Sequence, residues 1–212
     1  EILVQDGPER VQELIGLGAN FDKSGNDFDF TKEAAHSKRR ILHAGDATGR
    51  EIEKTLGRYV LSQQNISFYQ FMAVNSLLVE DGTCFGCIAV SLNNDFNFVQ
   101  FQARAVVLAT GGAGQLYSNN TNPTVSTGDG ISLAYQVGAD VQDLEFMQFH
   151  PTTLYTGDKK PISLFLISEA VRGEGAFLRN IHGEKFMSNY HELTELAPRD
   201  VVSRAIFSEM DK

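Results

Sequence analysis

The run ARAVVLATGGAG, residues 103–114, is the stretch on which the reading of the fold turns. Val106, Val107, Leu108 and Ala109 make a short continuous apolar segment, the composition of a parallel strand covered on both faces. Gly111, Gly112 and Gly114 follow at once. Without a Cβ, backbone amides at such a strand end can approach a phosphate or a ribose closely. An ordinary turn looks similar, so the flanking chain has to be read with it.

Upstream, residues 66–102 carry four β-prone runs, ISFYQFMAV, SLLVE, CIAVSL and NFVQF, broken at Asp81-Gly82 and at Asn93-Asn94-Asp95. These breaks are hairpin signals and predict a β-meander inserted in an α/β pattern. Cys84 and Cys87 of CFGC enter a strand, which places them on opposite faces and favours buried thiols over a redox or metal pair. Further upstream, Ile2, Leu3, Val11, Leu14, Ile15 and Leu17 predict an amphipathic helix that stops near Gly18 and is split by Pro8. Phe21 to Phe30 reads as a turn-rich loop or short hairpin. Ile52, Leu56, Tyr59 and Val60 predict a second helix, capped by Asp46 or Thr48. Between these lies a polar knot of Glu33, His36, Lys38, Arg39, Arg40 and His43. It is either a solvated basic loop or, given the interleaved alanines, Ile41 and Leu42, a partly buried cluster whose charges need partners.

Downstream, TGDG at residues 127–130 opens a helix closed by Gly138, with Asp129 either an N-terminal cap or a group for ligand hydroxyls. DLEFMQFHPT, residues 143–152, alternates like a strand and delivers His150 to its end, because a residue before proline is held extended. SEAVRGEG, residues 168–175, predicts a short helix capped by Ser168 with Glu169 in its first turn. In APRD, Arg199 opens another helix after Pro198. A guanidinium there can clasp a carboxylate bidentately and a histidine can bind a second one, so a small dicarboxylate is the natural guest. The competing account makes Arg172, Glu174 and Arg199 a structural ion-pair network.

The chain has 212 residues, 42% of them hydrophobic, enough for a sizeable core, and a formal net charge of −9. Neutralising a phosphate backbone needs a surplus of Lys and Arg, so nucleic acid is a poor partner. No apolar run reaches the roughly 18 to 20 residues of a membrane span, which predicts a cytoplasmic protein. Starting mid-pattern without Met, the chain reads as a piece of a longer protein.

VVLATGGAG, TGDG, DLEFMQFHPT, SEAVRGEG and APRDVVSRAI, in this order, resemble the flavoprotein family of L-aspartate oxidases, succinate dehydrogenases and fumarate reductases. KEAAHSKRRILHAGDATGREIE resembles the aspartate oxidases in particular. The resemblance implies an α/β fold with α+β character: residues 1–143 as part of a Rossmann-like FAD-binding domain with a β-meander, and 144–212 as part of an α+β substrate-capping domain. The N-terminal GxGxxG unit and the family's C-terminal segment are not in this sequence, so the resemblance implies that this polypeptide alone binds FAD poorly and lacks oxidase activity, which stoichiometric flavin absorbance would refute.

The resemblance further implies FAD as cofactor and L-aspartate or fumarate as substrate. L-Aspartate would be oxidised to iminoaspartate for quinolinate and NAD synthesis, with oxygen or fumarate as acceptor and quinolinate synthase as a partner. A succinate dehydrogenase or fumarate reductase subunit and a non-catalytic domain of this fold stay open as alternatives. Carried over by motif, Arg199 is the proton-transfer residue, and Glu33 is the acidic residue distinctive of aspartate oxidases, placed to pair with a substrate ammonium. His150, Ser168 (threonine in the family) and Glu169 contact substrate. Met72, Ala73, Gly111, Gly112 and Asp129 line FAD, and no metal is implied.

Overall fold

The computed structural model describes residues 1–34, 36–45, 47–93, 96–155, 157 and 163–212. Its elements fall into two compact units, Glu1–Phe68 with Ser168–Lys212, and Tyr69–Ile167. The mixed helix and strand composition bears out the α/β class with α+β character.

The first unit begins with helix α1, Ile2–Gly16, which is continuous. Pro8 was expected to split it, but lies inside. The missing amide removes one intrahelical bond, and both flanking turns still close. Gly18, at φ 93°, ends it as expected. Strands β1 (Lys23–Ser24) and β2 (Asp27–Phe28) form the small hairpin anticipated between Phe21 and Phe30. Strand β3 (Phe30–Thr31) then pairs antiparallel with β4 (Ile41–Leu42) and closes the base of the loop carrying the polar knot. Helix α2, Thr48–Ser62, follows, with Ala47 as cap residue; the Thr48 hydroxyl instead accepts from the Ala44 amide at 3.2 Å. Asp46, the other expected cap, lies outside the described residues.

Strands β5 (Met72–Glu80), β6 (Thr83–Ser91) and β7 (Phe98–Gln102) form the expected antiparallel meander in the second unit. MAV and SLLVE fuse into β5 across a register shift at Asn75. The tight turn is at Asp81-Gly82, where both residues have positive φ; of the second expected turn, Asn94 and Asp95 lie outside the described residues. Cys84 and Cys87 are half-buried free thiols. Helix α3, Asp129–Gln136, packs against β5.

Two expected strands are absent. Residues 103–110 form no ladder, and Val107 is 86% exposed. A parallel strand exists only where a neighbour meets its N–H and C=O groups, and none of the described residues does so here. Residues 143–152 likewise form turns and irregular backbone, with Asp143 at φ 61°. Alternation signals a half-buried extended face, but it does not supply the pairing. The short strands β8 (Thr153–Leu154) and β9 (Phe165–Leu166) pair just beyond, so His150 precedes a strand instead of ending one.

Helices α4 (Glu169–Gly173) and α5 (Arg199–Met210) return to the first unit. Both begin where expected: the Ser168 hydroxyl caps α4 by accepting from the Ala170 amide at 3.2 Å, and Pro198 precedes α5. Phe186, Met187, Ala197, Val202 and Ala205 form the buried core under α5, with Leu178, Tyr190, Val201 and Ile206 packed around it. That core seats α5, so the position of Arg199 at the helix start is set by apolar burial farther along the same helix.

Candidate active site

In the first unit, Glu33, Ala34, His36, Glu169, Ala197 and Arg199 line one cavity of about 170 Å³. This is below the ~300 to 1,000 Å³ of drug-sized sites, and suits a ligand of few heavy atoms. Glu169 joins the two guanidiniums nearest it. Its Oε1 accepts from Arg199 Nε at 2.7 Å and from Arg172 Nη2 at 2.9 Å. The two guanidiniums thus share one carboxylate oxygen, and both Glu169 and Arg172 are buried. Arg172 is fixed from its other side, with Nη1 donating to the Glu195 carbonyl at 2.7 Å. The Glu195 carboxylate accepts from the Leu178 amide at 3.0 Å. Burying charge is tolerable only when it is paired and hydrogen-bonded in this way.

Across the cavity, Arg199 Nη2 lies 3.8 Å from Glu33 Oε2, an ion pair too long for a hydrogen bond. The side chains of Arg199 and Glu33 remain 39% and 34% exposed, so both face the cavity opening and not the core. Asp200, the next residue, does not compete for Arg199. It accepts from Arg204 at 2.6 Å, and that hydrogen bond holds its carboxyl below the usual carboxylate range.

The loop carrying Glu33 is held by three devices: the β3–β4 pairing at its base, the Arg39–Glu174 ion pair at 2.8 Å, and close backbone contact with α4. A Cβ on Gly173 would lie 2.5 Å from the Lys32 carbonyl oxygen and 3.2 Å from the Glu33 carbonyl carbon. Only glycine permits that approach. Gly173→Ala is therefore expected to push the loop off α4 and lower stability by about 1 to 3 kcal/mol, the usual range for overpacking, as read by thermal denaturation of the full-length protein.

The polar knot divides accordingly. Lys38 and Arg40 are exposed, as a solvated loop would have them. Glu33 and Arg39 are paired, and His43 Nδ1 contacts Asp22 Oδ2 at 2.8 Å. The competing ion-pair account is half right: Arg172 and Arg199 converge on Glu169, whereas Glu174 pairs elsewhere. Arg172 was missing from the expected site residues, although its three-residue spacing from Glu169 on a helix was a signal.

His150 lies in the second unit, lining a cavity of about 210 Å³ with Tyr117, Asn122 and Leu164 among others. Its Nδ1 is 2.9 Å from the Thr152 carbonyl and 3.3 Å from the Thr152 amide. The shorter contact favours the tautomer with Nδ1–H donating to the carbonyl.

The expected cofactor residues are also in this unit. Gly111 has φ 73°, and a Cβ built on it or on Gly112 meets nothing within 4 Å, so their backbone is open to a ligand. Gly128, at φ 81°, caps α3, and a Cβ there would lie 3.1 Å from Ala113 Cβ; a Cβ on Gly130 would strike Thr110 Oγ1. Glycine at both positions lets the start of α3, with Asp129, nest on the 110–113 turn. Met72 and Ala73 begin β5, on which α3 packs. An open amide-rich turn beside an acidic helix start fits the phosphate and hydroxyl chemistry of a dinucleotide.

A family described as "FAD binding domain" matches residues 1–212. The chain belongs to the FAD binding domain family. FAD is therefore its cofactor, as the motifs implied. The chain is 49% identical over 212 residues to an L-aspartate oxidase of Nostoc, covering 100% of this chain and 36% of that protein. It is 43% identical to a chloroplastic L-aspartate oxidase of Arabidopsis thaliana, covering 100% and 34%. Among solved structures, an E. coli quinol fumarate reductase FrdA variant superposes with a TM-score of 0.89 at 32% identity, covering 99% of this chain and 37% of that one. Mycobacterium smegmatis Sdh1 gives 0.75 at 35%, covering 98% and 36%. The chain spans about a third of the length of the curated relatives it matches. No described helix is long and apolar enough to cross a membrane.

Proposed function

We propose that this chain is part of an L-aspartate oxidase, which oxidises L-aspartate to iminoaspartate with oxygen or fumarate as acceptor. The observation that carries this reading is the Glu33 carboxylate facing Arg199 in a small cavity, 3.8 Å away. A diacid alone gains nothing from a second carboxylate there, whereas an amino diacid does, because its ammonium needs an anionic partner. The similarity to named aspartate oxidases supports the same reading.

FAD, when bound, supplies the acceptor for the hydride leaving the substrate Cα. Gly111, Gly112 and Asp129, with Met72 and Ala73, would hold it. Arg199 binds a substrate carboxylate and, in the fumarate direction, donates the proton that completes reduction. Glu169 keeps the guanidinium aimed, and Arg172 holds Glu169 in place. Glu33 takes the ammonium and can accept one of its protons as Cα is oxidised. Ser168 caps the helix bearing Glu169 and is assigned to the substrate by the resemblance, as is His150 through Nε2. Orientation is the main contribution of these groups. On this reading residues 1–143 belong to the FAD-binding domain, which also lends Glu33 to the substrate, and 144–212 to the substrate-capping domain; the product passes to quinolinate synthesis, and the protein works in the cytoplasm.

The test is L-aspartate-dependent peroxide formation by the full-length protein, with His150→Ala beside it. Turnover by the parent is expected, with KM about tenfold higher in the variant, the value of one charge-assisted hydrogen bond. Flavin reduction by succinate and not by L-aspartate would transfer the assignment to a succinate dehydrogenase or fumarate reductase subunit.

A further inference from the structure

Of the charged or ionisable side chains lining the Arg199 cavity, His36 has no role in the chemistry above. Its backbone amide donates to the Glu33 carbonyl at 3.1 Å, closing the turn that brings both residues to the same cavity. Its Nδ1 is buried and has no hydrogen-bond partner among the described residues. Glu33, Glu169 and Arg199 are all in ion pairs. A buried nitrogen left unsatisfied is costly, and such groups persist chiefly where a ligand or water completes them. The cavity is also short of donors. It presents two carboxylates and one guanidinium, so a substrate carboxylate held by Arg199 meets no second cationic donor in this lining. Because the last torsion of a histidine is broad, the ring can turn Nδ1 toward a guest without leaving its rotamer well.

We propose that His36 is a further substrate-binding residue, donating a hydrogen bond from Nδ1 to a carboxylate of the four-carbon diacid. The assignment rests on the function proposed above. It is tested in the full-length, FAD-loaded protein by calorimetric titration with succinate, comparing His36→Asn, which keeps a donor near Nδ1, with His36→Gln, which places one near Nε2. The expected result is a Kd within about threefold of the parent for the asparagine variant and at least about tenfold weaker for the glutamine variant, with unchanged melting temperatures; tenfold corresponds to about 1.4 kcal/mol. If both variants bind succinate like the parent, or lose affinity equally, the His36 assignment falls while the function stands. If the parent does not bind succinate at all, the proposed function fails first.

Discussion

Arg199→Lys in the full-length protein is expected to lower kcat about a thousandfold, for both L-aspartate oxidation and fumarate reduction, which is the scale of a positioned proton-transfer group. Lysine keeps the charge, so general electrostatic attraction for a dianion survives. It loses the planar fork, and with it the ability to place Nε on Glu169 at 2.7 Å while Nη2 faces Glu33 at 3.8 Å. Substrate affinity should therefore change by less than about tenfold while turnover collapses, because the interaction lost belongs mainly to the transition state. Stopped-flow flavin reduction at saturating L-aspartate separates these quantities. The folded state should tolerate the change, since Glu169 keeps Arg172 and the core under α5 is untouched. A variant retaining a tenth of the parent's kcat would reduce Arg199 to a structural ion pair.

Features set by neighbours in sequence were legible before any coordinates. Ser168 capping α4, Pro198 preceding Arg199, the Asp81-Gly82 hairpin and the stop at Gly18 each depend on a few adjacent residues, and each is where local chemistry puts it. Features set by pairing across the chain were not. The runs at 103–110 and 143–152 have the composition of strands, yet a strand is a property of two segments, and composition reports only one. Pro8 failed in the opposite direction, because a single missing amide is a smaller loss than abandoning a helix whose flanking turns remain bonded.

The site shows the same division. Motif order pointed to Arg199, Glu169 and Glu33, and these three meet in one cavity. What brings Glu33 there is Gly173, 140 residues away in the chain and notable only once its missing Cβ is seen against the Lys32 carbonyl. The glycine of SEAVRGEG reads in sequence as a helix terminator. In the structure it is also the clearance that lets the loop bearing Glu33 reach the guanidinium.

That clearance places the Glu33 carboxylate for the selective role proposed for it, and Glu33→Gln tests that role. Glutamine preserves size and a carbonyl acceptor but removes the charge. L-Aspartate carries an ammonium that fumarate lacks, so kcat/KM for L-aspartate should fall about a hundredfold, near the upper value of a hydrogen bond to a charged group. Fumarate reduction should change by less than about threefold, because removing a carboxylate beside a dianion also relieves repulsion. The ratio of the two activities is the quantity to measure, since a general disturbance of the loop would lower both together. Equal losses would mean that Glu33 only steadies Arg199, and the preference for an amino acid over a plain diacid would have to come from elsewhere in the protein.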